Sequence, residues 1–83
     1  MSHLRLLVAD DHDLMRLGIK TRLVLHPGWE VCGEAQTGRE AVTKSEQLKP
    51  DVVILDIGMP DLNGVEAARR IRKVSPITEI LMT

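Results

Sequence analysis

Pro50-Asp51-Val52-Val53-Ile54-Leu55-Asp56-Ile57-Gly58-Met59-Pro60-Asp61-Leu62-Asn63-Gly64 decides how the rest of the sequence is read. Val52 to Leu55 are apolar without alternation and rich in β-branched residues, which suits a strand buried on both faces of a parallel sheet. Asp56 closes that run, and Gly58, Pro60, Asn63 and Gly64 behind it punctuate a loop. A carboxylate at the C-terminal end of a central parallel strand lies in the crevice where open α/β sheets bind ligands. Buried there as an anion without a partner it would be costly, so its expected use is chemical. A capping role suits Asp61 better, because the next helix starts just beyond it.

Upstream, Leu4 to Ala9 form a second short apolar run that ends in Asp10-Asp11 and reads as the first strand. From Asp13 to about Leu25, Leu14, Leu17, Thr21, Val24 and Leu25 recur at helical spacing, with Arg16 and Lys20 on the other side. Asp13 is the expected cap and His26-Pro27-Gly28 the stop. Glu30 to Ala35 alternate, with Val31, Gly33 and Ala35 on one face, and predict an edge strand. Thr37-Gly38-Arg39-Glu40 has the form of a capping box, opening a helix to about Lys49. Downstream, Asn63-Gly64-Val65-Glu66 starts a third helix whose inner face is read as Val65, Ala68, Ile71 and Arg72. Ile77 to Thr83 complete the pattern as a fourth strand. Strands alternating with helices predict one doubly wound α/β domain over residues 1–83.

Composition narrows the function. Hydrophobic residues at 43% and charged residues at 28% are ordinary for a soluble globular chain. A net charge of -1 makes no electrostatic case for nucleic acid or an anionic membrane. A single cysteine, Cys32, excludes an internal disulfide framework and makes a reducing cytosol the default. No apolar run reaches the length of a membrane span. Trp29 is the only aromatic residue, which removes stacking platforms for single strands.

The first and central strands of such a sheet are neighbours, so Asp10 and Asp11 are expected beside Asp56. Three carboxylates in one crevice repel each other. A hard divalent ion such as Mg²⁺ relieves that repulsion through oxygen ligands, and the Gly58 carbonyl is close enough in sequence to join them. Beside such an ion Asp56 becomes a nucleophile toward a phosphoryl group.

Val8-Ala9-Asp10-Asp11-His12, Asp51 to Pro60 with Gly64, and Leu81-Met82-Thr83 together resemble a response regulator receiver domain of bacterial two-component signalling. Asp10 to His12 and Arg16-Leu17-Gly18 resemble the subfamily with a C-terminal helix-turn-helix DNA-binding output domain. The resemblance runs over essentially the whole chain. It implies a flavodoxin-like fold, Mg²⁺ dependence, a cytoplasmic location and transfer of phosphate from a sensor histidine kinase to Asp56. It also implies that Asp11 binds the metal directly, that Asp10 acts through water, and that the Thr83 hydroxyl contacts the phosphoryl group and signals its presence. The family pattern continues with a fourth helix, a fifth strand ending in a phosphate-binding Lys, and a fifth helix. This sequence matches its N-terminal portion, up to the fourth strand, and Lys20, Lys44, Lys49 and Lys73 do not match that Lys.

Two other classes fit less well. A phosphohydrolase with an Asp nucleophile resembles a strand ending Asp-x-Asp, where the second Asp moves the proton; here that position is Gly58. A flavin or nucleotide domain would want a Gly-rich or Ser/Thr-rich loop after the first strand, not Asp10-Asp11-His12-Asp13. The domain is therefore expected to be a switch rather than an enzyme. His12 follows the acidic pair and could touch the site, but reads first as a polar residue at the entrance of the first helix, and Cys32 reads as a passive strand residue. Arg69, Arg70, Arg72 and Lys73 read as an exposed face, since Glu66 precedes Arg70 by one helical turn. With the fourth strand at an edge, Ile77, Ile80, Leu81 and Met82 are expected to invite self-association. The sheet face holding Leu6 and Val8 is expected to be uncovered.

Overall fold

The computed structural model describes residues 3–83. In order it contains β1 (Leu4–Ala9), α1 (Asp13–Leu23), β2 (Trp29–Ala35), α2 (Gly38–Leu48), β3 (Val52–Leu55), α3 (Gly64–Val74) and β4 (Glu79–Met82). All strand pairs are parallel and the order is β2-β1-β3-β4. This is the flavodoxin-like, doubly wound arrangement, with β1 and β3 inside and β2 and β4 at the edges.

The inner strands are apolar because both of their faces are covered. Leu7, Ala9, Val53 and Leu55 share one core with Ala35, Ala41, Ala67 and Ile71, under α2 and α3. Leu6, Val8 and Ile54 alternate to the other face, and they are buried too. The expectation that Leu6 and Val8 lie uncovered is thus wrong: α1 packs against β1 and β2 and shields them. Exposure rises outward along one row instead. Val8, Ile54 and Leu81 are in register and are 0%, 8% and 56% exposed.

The first helix reverses its predicted face. Leu14 is 83% exposed and Leu17, Val24 and Leu25 also face solvent, whereas Arg16 is only 8% exposed. Burying a guanidinium is costly unless its donors are satisfied. Here they are: Arg16 donates to the Asp10 carbonyl at 2.8 Å, to Asp13 Oδ1 at 2.6 Å and to Glu34 Oε1 at 3.0 Å. Lys20 Nζ donates to Glu34 Oε2 at 2.6 Å. Polar anchors therefore help seat α1 beside the half-buried Ile19 and Leu23, while the predicted row of Leu14, Leu17, Thr21 and Val24 points away from the sheet. The helix ends at Leu23 rather than Leu25, before a turn with Gly28 at φ 85°. Asp13 is its first residue and His12 the cap position, with no side-chain capping bond.

A bulge in β2 brings Glu34 to that helix. Leu6 registers with Val31 but Leu7 registers with Gly33, so Cys32 is the extra residue. Val31 and Glu34 consequently face α1 with Leu6 and Val8, while Gly33 and Ala35 face the other way with Leu7 and Ala9. The predicted common face of Val31, Gly33 and Ala35 is split. Burial pushes the Cys32 thiol up, in keeping with a passive role. Trp29 pairs with Leu4 at the N-terminal end of the edge and stacks on His26, with ring centroids 4.1 Å apart.

The other helices start from side-chain caps. The Thr37 hydroxyl accepts from the Glu40 N–H at 3.1 Å, and the Glu40 carboxylate accepts from the Gln36 N–H at 2.6 Å. For α3 the cap is Asn63, accepting from the Glu66 N–H at 3.0 Å. Asp61 does not cap; it has φ 73° and pairs with Arg39 at 3.0 Å. The buried stripe of α3 is Gly64, Ala67 and Ile71, with Val65 exposed. β4 begins at Glu79 rather than Ile77, because the Ser75 and Thr78 hydroxyls bond at 2.6 Å and Thr78 donates to the Pro50 carbonyl at 2.7 Å.

Candidate functional site

The site lies at the C-terminal ends of three adjacent strands. Ala9, Leu55 and Met82 form one register row across β1, β3 and β4. Asp10, Asp56 and Thr83 are each the next residue, so the pleat carries all three to the opposite side from that row. Backbone bonds extend the ladder to them: Asp56 N–H to the Ala9 carbonyl at 3.0 Å, and Thr83 N–H to the Leu55 carbonyl at 2.9 Å. The Asp10 N–H reaches the Ala35 carbonyl at 3.0 Å. Sequence reading thus placed Asp10, Asp56 and Thr83 at neighbouring strand ends, and the ladder bonds join them there.

The loop after Asp56 is fixed at both ends. Met59 and Leu62 are buried in the core under α2 and α3. Gly64 lets the loop return, since a Cβ there would lie 2.5 Å from Ile57 Cα. The Gly58 N–H donates to Asp56 Oδ1 at 3.0 Å, which orients the carboxylate. Ile57 N–H donates to the Thr83 carbonyl at 3.3 Å, tying the loop to the end of β4.

Asp10, Asp11, His12 and Asp56 each offer one ligand atom, and these atoms lie within 4.8 Å of one another. Asp10 is buried, Asp56 partly exposed and His12 exposed. Asp10 Oδ1 accepts the His12 N–H at 2.9 Å and lies 3.0 Å from His12 Nδ1. His12 Nδ1 also lies 3.1 Å from Asp11 Oδ1. That second approach lacks hydrogen-bond geometry, so Asp11 Oδ1 is a buried oxygen with no hydrogen-bond partner. An orphaned carboxylate oxygen in a cluster with two other carboxylates fits a divalent cation. The hydrogen bond to Asp10, and then the charges of Asp11 and Asp56, hold the His12 imidazole above its ordinary pKa.

His12, expected at the helix entrance with contact to the site as its lesser role, reaches the cluster. The available signal was its position two residues past Asp10, within reach if the chain stays extended before the helix; its φ is -101° and its ψ 116°. None of the lysines joins the cluster. Lys20 bonds Glu34, Lys44 the Glu34 carbonyl and Lys49 the Val74 carbonyl, and Lys73 is exposed on α3. The groove lined by Lys20, Thr21, Val24, Val31, Gly33 and Glu34 lies between α1 and β2, apart from the acidic cluster.

Comparison with known proteins gives the class. Residues 6–83 match the response regulator receiver domain family, and the chain belongs to it. It is 45% identical over 78 residues to the chemotaxis protein CheY of Thermotoga maritima, covering 94% of this chain and 64% of that protein. The signal receiver domain of the response regulator NarL from Mycobacterium tuberculosis superposes with a TM-score of 0.92 at 34% identity, covering 99% of this chain and 66% of that one. A DNA-binding response regulator of the LuxR family from Staphylococcus aureus gives 0.87 at 30% identity, covering 95% and 66%. The relatives therefore include DNA-binding regulators of the kind the sequence resembles.

Proposed function

We propose that this domain is the phosphoacceptor of a two-component system, receiving a phosphoryl group on Asp56 from a sensor histidine kinase. The observation that supports it most is the single row of Asp10, Asp56 and Thr83 at three adjacent strand ends. Asp56 Oδ1 is engaged by the Gly58 N–H, which leaves Oδ2 to attack phosphorus. The phosphorus–nitrogen bond of the phosphohistidine breaks, and the imidazole leaves with a proton.

In this reading Asp11, Asp56 and the Gly58 carbonyl hold Mg²⁺, with Asp10 contributing through water. When bound, Mg²⁺ offsets the charge that builds up on the transferred group. The Thr83 hydroxyl contacts the phosphoryl oxygens and transmits its presence to β4. The domain acts in the cytoplasm as a switch rather than an enzyme. The output is transcription through a DNA-binding domain, and in a polypeptide limited to these 83 residues the β4 edge supports contact with a second copy.

The test is intact-mass spectrometry after incubation with Mg²⁺ and acetyl phosphate. A hydroxylamine-labile phosphoryl adduct that disappears in Asp56→Asn is expected. No adduct, or one retained in Asp56→Asn, would overturn the assignment.

A further inference from the structure

We propose that His12 supplies a nitrogen ligand to the cation site, so that the site discriminates for borderline transition ions through an imidazole rather than by carboxylates alone. This rests on the metal site proposed above and adds a donor to it. Four observations carry it. His12 Nδ1 is within 3.1 Å of oxygens from both Asp10 and Asp11. Its ligand atom falls in the same 4.8 Å cluster as those of Asp10, Asp11 and Asp56. Asp11 Oδ1, the oxygen facing it, has no hydrogen-bond partner. Asp10 Oδ1 keeps the His12 backbone N–H at 2.9 Å, so the ring can leave Asp10 for an ion without stripping that buried carboxylate.

The chemistry follows from the donor type. Nδ1 donates its proton to Asp10 Oδ1 in this structure; when the ring turns to an ion that proton is released to solvent, and a neutral imidazole with its proton on Nε2 presents an Nδ1 lone pair. Carboxylate and carbonyl oxygens suit Mg²⁺ and Mn²⁺, whereas imidazole suits zinc, nickel and copper. His12 is fixed by its backbone at the helix entrance, and its side chain is 70% exposed. The ring therefore needs no core rearrangement to bind, and it covers the site from the solvent side.

Two calorimetric titrations at one fixed pH test this, with MgCl₂ and with CoCl₂, on the wild type and on His12→Asn. Asn caps a helix well, so the fold should survive, and it removes nitrogen while leaving an oxygen donor. Any oxygen site already prefers Co²⁺, so the informative quantity is how that preference changes. The Co²⁺-over-Mg²⁺ preference should fall by about tenfold or more in His12→Asn, as for loss of one group that supports a metal site, with Mg²⁺ affinity nearly unchanged. His26→Gln, which removes an imidazole outside the site, should leave the preference intact. Paramagnetic broadening by Co²⁺ should reach the His12 ring resonances first among the histidines. Equal weakening of both ions in His12→Asn, no weakening of either, or an unperturbed His12 ring would overturn the proposal. Failure of Asp11→Asn to weaken Mg²⁺ would instead remove the metal-site reading beneath it.

Discussion

Asp56 and Thr83 stand side by side, each one residue beyond the registered pair Leu55 and Met82. The carbonyl of Thr83 also holds the loop behind Asp56, through the Ile57 N–H at 3.3 Å. Thr83→Ala keeps both backbone bonds and deletes only the hydroxyl. Phosphoryl uptake should slow by roughly tenfold to a hundredfold, the worth of one hydrogen bond to a charged group, while Mg²⁺ affinity stays unchanged. A time course of the acetyl phosphate adduct measures the first and calorimetry the second.

Arg16 and Leu17 exchange the importance that their residue types suggest. Arg16→Met strips partners from Asp13, Glu34 and the Asp10 carbonyl. Two of these sit partly in water, so the cost should be about 2–3 kcal/mol, below that of a wholly buried pair. Leu17→Gln, on the exposed side of α1, should change stability by less than about 0.5 kcal/mol. Urea midpoints of the two variants decide it.

Glu34 gives stability an acid limb. Hydrogen bonds first from Lys20 and then from Arg16 hold its carboxyl below the ordinary value of 4.5. A depressed folded pKa means that the contribution is complete above 4.5 and is lost as pH falls through the lower, folded value. The urea midpoint should fall through that acid range in the wild type. In Glu34→Gln this component should be missing, although the variant starts from a lower midpoint at pH 7.

A polypeptide limited to these 83 residues should accept phosphate poorly. No lysine lies in the cluster among the described residues, and one preorganised donor is worth on the order of a hundredfold in rate. Its labelling rate should lie that far below an intact receiver at equal donor concentration. Equal rates would contradict the argument.

The same polypeptide should also self-associate. Leu81 and Ile77 are exposed beside the free edge of β4, and such an edge is a template for another strand. A dimer or larger species should grow with concentration in sedimentation velocity. A monomer of 9.3 kDa throughout would refute it.

The sheet was legible because its evidence is local. Val52 to Leu55 carry no alternation, Leu4 to Ala9 end in two acids, and parallel register brings those ends together without further information. Asp10, Asp11 and Asp56 follow from the strand order alone. Arg16 did not, because helical periodicity assumes that apolar residues bind the sheet, and a salt-bridged anchor at Glu34 outweighs it. His12 was placed at the helix entrance, with contact to the site left as the lesser role, because its reach depends on extended backbone before α1. Asp61 was read as a cap from its place just before the third helix, but its positive φ turns it toward Arg39 and leaves the cap to Asn63.

The extra residue at Cys32 works as a frameshift in the pleat. Every side chain of β2 beyond it is read on the opposite face from the one that simple counting assigns. Deleting Cys32 would pair Trp29, Glu30, Val31, Gly33, Glu34 and Ala35 one-for-one with Leu4 to Ala9, each on the face it already occupies. The strand can therefore lose this residue without changing what any other β2 side chain meets, so homologous chains should vary freely both in its identity and in its presence.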